Sequence, residues 1–199
     1  MNRYGVLTKA AVQTEGVPGG FATLYKVLKA FEEAGRCQRG YFVESLGGAQ
    51  FAIASTVDRL RGYADTDDPP EYRAVVLAAA DPANPYGAAL GWPATAGAEG
   101  HRPGRKAGAL VVLVDGQLIW YSERGGKSLL TFSADPDAQR AAAGALAELV
   151  TRRRIGGILI EKIDGVSLLE AEARDALRNI ISALIDTGFA RTPRGLRLR

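Results

Sequence analysis

Residues 21–54, F-A-T-L-Y-K-V-L-K-A-F-E-E-A-G-R-C-Q-R-G-Y-F-V-E-S-L-G-G-A-Q-F-A-I-A, decide how the chain is read. Phe21, Leu24, Tyr25, Leu28 and Phe31 recur at helical spacing, so residues 21–34 form an amphipathic helix that Gly35 stops. Residues 38–45 and 49–54 are β-prone runs, and Leu46-Gly47-Gly48 between them supplies a turn. Upstream, Thr8 can cap a short helix that reaches about Glu15 and ends at Gly16. Val17-Pro18-Gly19-Gly20 then makes the turn into the longer helix. Helix, turn, helix and Gly-tipped hairpin is the winged-helix order.

In such a domain the second helix enters a major groove by its amino end while the wing lies along the backbone. Lys26 and Lys29 are the only cations of that helix, and it has no arginine for bidentate reading of base edges. Shape and phosphate contacts are therefore expected, with Arg39 of the hairpin contributing. A purely architectural or protein-binding winged helix fits the same pattern.

Beyond a short helix at 56–64, Asp65-Thr66-Asp67-Asp68-Pro69-Pro70 reads as a linker. This gives a winged-helix domain over 1–64, a linker over 65–72 and a second module over 73–199. The second module opens with an apolar strand at 74–79, followed by a long loop. Strands at 109–114 and 117–122 are joined by Asp115-Gly116, a strong hairpin signal. A further strand at 128–132 completes an antiparallel meander, expected to curl into a small β-barrel or sheet. A helix over 136–153, a strand at 157–163, the turn Asp164-Gly165 and a helix over 169–187 follow. The tail 189–199 alternates late and suits a sheet edge. The fold class is α+β: an N-terminal winged helix, then a small antiparallel β-barrel or sheet with packed helices.

Composition limits the chemistry. The 199 residues are 47% hydrophobic and 24% charged, with a net charge of +3, as in ordinary globular proteins. The excess cations concentrate at Arg152-Arg153-Arg154 and at Arg191, Arg194, Arg197 and Arg199. Cations at a helix carboxyl end also complement its dipole, so the triplet has a structural explanation. The single cysteine, Cys37, excludes an internal disulfide and a cysteine-based zinc site, and it fits a reducing, cytoplasmic setting. No apolar run approaches the roughly 18–20 residues that span a bilayer. No G-x-x-x-x-G-K-[ST] loop is present, so the chain carries no nucleotide motor. With one histidine and one cysteine far apart, neither a Cys/His nucleophile nor a transition-metal site is expected.

The loop over 81–106 is long for a compact domain, and such loops are usually functional or disordered. It carries Asp81, Tyr86, Trp92, His101, Arg102, Arg105 and Lys106. Its cations suit phosphates, and its aromatics suit stacking on an unpaired base. Asp81, in Asp-Pro-Ala-Asn-Pro, could hold a carboxylate in fixed geometry. A carboxylate can assist hydrolysis of an N-glycosidic bond once a nucleotide is flipped out. The same string also reads as two successive Asx-type turns.

Several long strings are similar to the carboxy-terminal region of bacterial large helicase-related (Lhr) proteins. They are R-Y-G-V-L-T-K-A-A-V, E-G-V-P-G-G-F-A-T-L-Y-K-V-L-K-A-F-E-E-A-G-R, D-P-A-N-P-Y-G-A-A-L-G-W-P, G-R-K-A-G-A-L-V-V-L-V-D-G-Q-L-I-W-Y-S-E-R-G-G and T-P-R-G-L-R-L-R. The resemblance implies an ATP-driven superfamily 2 DNA repair helicase whose motor, with its ATP and Mg, lies upstream of this chain. It implies winged helices followed by a β-barrel module similar to AlkZ-type DNA glycosylases, with the first helix of the winged helix truncated here. It also implies uracil removal from DNA, oligomerisation and a bacterial nucleoid-associated setting. AlkZ-type enzymes carry a Gln-x-Gln or related pair that this chain lacks, and Gln50 is the nearest single glutamine. The expectations are thus a DNA-binding tail for single-stranded or hybrid duplex DNA, a glycosylase using Asp81 and Gln50, or a homo-oligomerisation module. No cofactor is expected in the chain itself.

Overall fold

A computed structural model describes residues 4–44, 46–64, 71–94, 102–171 and 175–199. Residues 65–70 of the expected linker over 65–72, and His101, lie outside the described residues. The chain divides into two compact units, one of residues 1–69 with 85–91, the other of 70–84 with 92–199.

The first unit runs β1 (Val6–Leu7), α1 (Lys9–Thr14), α2 (Gly20–Glu33), β2 (Gln38–Gly40), β3 (Gln50–Ala52) and α3 (Ala54–Ala64). The Thr8 hydroxyl accepts from Ala11 N–H at 3.2 Å, which caps α1 as its position suggests. The strands form an antiparallel sheet in the order β1-β3-β2. Leu28, Cys37 and Phe51 are buried together, with Leu7, Phe21, Leu24 and Tyr25 packed against them. Phe31 departs from the expected stripe: it is 40% exposed, with the Arg36 guanidinium 5.7 Å from its ring centre.

Both hairpin strands are shorter than their β-prone runs, and Gln50 is the reason. Its side chain is fully buried. Oε1 accepts from the N–H groups of Phe42 (3.1 Å) and Val43 (2.9 Å). Nε2 donates to the carbonyls of Val43 and Gly47, both at 2.8 Å. The amide thus takes backbone groups that a longer ladder would have used, and pairing ends at Gly40 opposite Gln50.

The second unit begins with β4 (Ala74–Ala78), β5 (Leu110–Val114), β6 (Gln117–Ser122) and β7 (Ser128–Thr131), the expected meander. Asp115 and Gly116 turn β5 into β6 with φ of 47° and 82°, as a tight hairpin requires. The Asp115 carboxylate also accepts from the N–H groups of Tyr72 and Arg73, both at 2.9 Å, which anchors the chain just before β4.

After α4 (Pro136–Thr151), the strand expected over 157–163 is two strands. β8 (Ile158–Ile160) and β9 (Lys162–Ile163) join different sheets, because the chain changes partner at Glu161. The N–H groups of Glu161 and Lys162 both donate to the Lys127 carbonyl, at 2.8 and 3.0 Å. β9 lies parallel to β7 and pairs with β10 (Val166–Ser167), giving a six-stranded sheet β10-β9-β7-β6-β5-β4. This corrects the barrel expectation: β10 and β4 are the two edges of an open sheet, and among the described residues no strand joins them. The meander does not close because α4 intervenes and returns the chain in parallel beside β7.

The helix expected over 169–187 is described as α5 (Leu168–Ala171) and α6 (Asp175–Asp186), and residues 172–174 lie outside the described residues. The tail forms a hairpin, β11 (Ala190–Thr192) and β12 (Gly195–Leu198), in a sheet ordered β11-β12-β8. Gly195 has φ 139°, and a Cβ there would fall 2.0 Å from the Ile160 carbonyl oxygen, so only glycine fits. α4 packs across β4, β5 and β6 and against α6. The core joins Val112, Val114, Trp120 and Leu129 to Ala142, Leu146, Val150, Ile180 and Leu184. Trp120 Nε1 donates to Gln139, whose amide in turn donates to the Ser133 carbonyl, so the buried indole is satisfied.

Candidate nucleic-acid interface

In the second unit the loop after β4 is built from a chain of hydrogen bonds. Asp81 Oδ1 accepts from Ala83 N–H at 2.8 Å, and the Asp81 carbonyl accepts from Asn84 N–H at 2.9 Å. This is the Asx turn that the Asp-Pro string allows. Asn84 is buried and its Nδ2 donates to the Ala79 carbonyl at 2.9 Å.

Arg105 arrives from the far end of the loop and ties this turn down. Nη1 donates to the Asn84 carbonyl at 2.8 Å, and Nη2 to the carbonyls of Ala80 (3.2 Å) and Asp81 (2.9 Å). A planar guanidinium suits three convergent carbonyls as an ammonium does not. Arg105 therefore organises the loop, a role different from the phosphate contact its sequence position suggests.

Tyr121 supplies the floor. Its ring is buried, its hydroxyl donates to the Gly104 carbonyl at 3.1 Å, and the Trp92 ring meets it edge-on at 5.6 Å and 80°. Burial raises the Tyr121 phenol above its ordinary 10.0, with the Glu123 carboxylate adding to the effect. Trp92 remains half-buried, and Arg102 and Lys106 are exposed. Lys106 Nζ lies 3.6 Å from Glu123, a loose pair that solvent screens. The sequence does not single out Tyr121, since within an apolar strand pair it is indistinguishable from core.

The remaining candidates lie in the first unit. Tyr86 belongs to the 85–91 segment, where the N–H groups of Gly87 and Leu90 close a turn onto the Leu90 and Pro85 carbonyls at 2.8 and 2.9 Å. Lys26 is exposed on α2, and Lys29 sits 3.8 Å from Glu33. Arg39 donates to the Tyr25 hydroxyl at 2.7 Å and lies 3.5 Å from Glu32, so its charge is already partly engaged. Gln50 and Asp81 fall in different units. All four hydrogen-bonding positions of the Gln50 amide are used by backbone, which leaves it no capacity for a reacting group and corrects its catalytic assignment. Among the described residues, no group of three or more His, Cys, Asp or Glu converges to hold a metal. No helix among them is long and apolar enough to cross a membrane.

These features place the first unit among winged-helix domains. Residues 1–72 match the family described as large helicase-related protein, winged-helix domain. The whole chain is 69% identical to "Lhr helicase/ probable uracil glycosylase" of Mycolicibacterium smegmatis over 202 residues, 13% of that protein. It is 44% identical to "Lhr helicase/uracil glycosylase" of Escherichia coli over 133 residues, covering 66% of the chain and 8% of the relative. The chain belongs to the large helicase-related family and spans a small part of the relatives it matches.

Proposed function

We propose that this chain is a nucleic-acid-binding region of an ATP-dependent superfamily 2 DNA repair helicase, engaging single-stranded DNA or a hybrid duplex. The motor, with its ATP and Mg, belongs to the rest of such a polypeptide, whose other domains are its first partners, in the bacterial cytoplasm. The observation that carries the reading is the edge of Trp92 against Tyr121, beside a turn fixed by Arg105, with Arg102 and Lys106 exposed on the same loop. An aromatic held by a rigid neighbour can stack on an unpaired base with little ordering cost, and the two exposed cations suit the adjoining phosphates. From the first unit, Lys26 and Lys29 offer backbone contacts to a duplex. Fluorescence anisotropy with a labelled single-stranded oligonucleotide tests this. Affinity should fall steeply with salt, and Trp92→Ala should weaken binding by about 1–3 kcal/mol. Salt-independent binding, or an unaltered Trp92→Ala, would overturn the reading.

A second reading is removal of uracil or a damaged base; the names of both relatives, which include uracil glycosylase, support the uracil form. Asp81 is its acid. Hydrolysis breaks the C1′–N bond and forms a C1′–O bond from water, the carboxylate taking the water proton while the base leaves with the bonding pair. Uracil-containing DNA incubated with the chain and then alkali should break at uracil. Breakage that persists in Asp81→Asn would remove Asp81 from the mechanism.

A further inference from the structure

A separate groove lies on the second unit, where the β6–β7 turn meets the segment between α4 and β8. It encloses about 270 Å³ and is walled largely by backbone, at Gly108, Gly125, Gly126, Gly156 and Gly157. Ser122 lines it with a side chain that is only 2% exposed and whose hydroxyl makes a long 3.4 Å bond to the Glu123 carbonyl. At Gly125 and Gly156 nothing lies within 4 Å of where a Cβ would be, so a ligand can come against the main chain there.

The cations around this groove stand without acidic partners. Several exposed cations elsewhere are paired: Arg61 with Asp58, Arg140 with Asp137, Arg152 with Glu148, Arg194 with Glu161. Among the described residues, Arg124, Lys127, Arg154 and Arg199 have no ion-pair partner. The Arg124 side chain packs at Gly108, with Cγ 3.0 Å from a Cβ position there, and Arg199 Cγ lies 3.7 Å from that of Gly157. Lys127 directly follows Gly126 and Arg154 directly precedes Ile155, both of which line the groove. The one acid in the lining, Glu123, is met by Lys106 at 3.6 Å.

Arg124 and Arg199 against the lining, with Lys127 and Arg154 next to it in sequence, give this narrow, glycine-walled channel a net positive field in which Glu123 is the one lining acid. The volume is at the low end for an enclosed small-molecule pocket, whereas an extended phosphate backbone needs a channel and close approach, not enclosure. We infer that this groove holds the sugar–phosphate backbone of a nucleic-acid strand, as a site distinct from the loop over 81–106.

The test titrates labelled oligothymidylate at several salt concentrations with the full chain and two variants. Lys127→Gln/Arg154→Gln/Arg199→Gln removes three charges, and should reduce the magnitude of the log K against log salt slope by about two. Gly156→Leu keeps the charge and its φ is not in the left-handed region, so it fills the groove without backbone strain. It should weaken binding several-fold, with an unchanged circular dichroism spectrum. Both effects should persist in a Trp92→Ala/Arg102→Ala background, which separates the groove from the loop. Wild-type affinity and slope in both variants would overturn the site. Competition by polyglutamate as effective as that by unlabelled oligothymidylate would overturn its ligand, in favour of an acidic protein surface.

Discussion

Arg105 donates to the Asn84 carbonyl at 2.8 Å across 21 residues of sequence, so the two ends of the long loop are fastened to each other. With its bonds to Ala80 and Asp81, this one side chain sets the shape of the turn that carries Asp81. Hydrogen bonds to a charged donor contribute about 1.5–3 kcal/mol each when buried, and less at a half-exposed site such as this. Arg105→Ala should therefore lower stability by about 2 kcal/mol in chemical denaturation. Arg105→Lys should recover little of it, since one ammonium cannot span three carbonyls. Full recovery by lysine would show that charge alone matters there.

Gln50 makes a sharper case. Removing its amide leaves the N–H groups of Phe42 and Val43 and two carbonyls without partners. Gln50→Ala should cost roughly 2–4 kcal/mol. Gln50→Glu should also destabilise, because a carboxylate keeps the two acceptor contacts but faces the Val43 and Gly47 carbonyls. Hydrogen exchange localised to residues 41–49 would locate the damage in the wing.

These two residues show what was legible in the sequence. The winged-helix order, the Asp115-Gly116 hairpin and the meander were read from periodicity and turn chemistry, which are local signals. Gln50 and Arg105 also stand out there, but as a catalytic amide and a phosphate contact, because a polar residue in a strand or loop does not declare whether its partners are backbone or ligand. The open sheet was hidden for a related reason. Whether β9 pairs with β7 or closes a barrel depends on a contact with a strand some 34 residues earlier, and periodicity carries no information about partners.

Asp164 combines a clamp with an unusual backbone. Its carboxylate accepts from the Thr131 N–H at 2.8 Å and hydroxyl at 2.6 Å, while φ is 50°. Asp164→Ala loses both bonds and keeps the left-handed conformation, so it should cost about 2–4 kcal/mol. Asp164→Gly loses the bonds but relieves the backbone, and should be the milder variant. Equal losses in the two would mean that the conformation contributes nothing.

The Tyr121 phenol sets a pH limit. Burial raises it above 10.0, so the folded chain holds the proton more tightly than the unfolded chain does. The associated stability is complete below about pH 10 and is lost as pH rises through the folded-state value. A Tyr121→Phe variant should show a shallower alkaline loss of stability than the parent. Parallel curves for the two would exclude Tyr121 as the group responsible.

The change of partner at Glu161 has a mechanical consequence. One unbroken stretch of backbone is stitched into two sheets within six residues, β8 to the tail hairpin and β9 to the meander. A pull on the tail hairpin therefore loads the six-stranded sheet directly, without any slack segment to absorb it. The tail and meander of this unit should release together as one mechanical element.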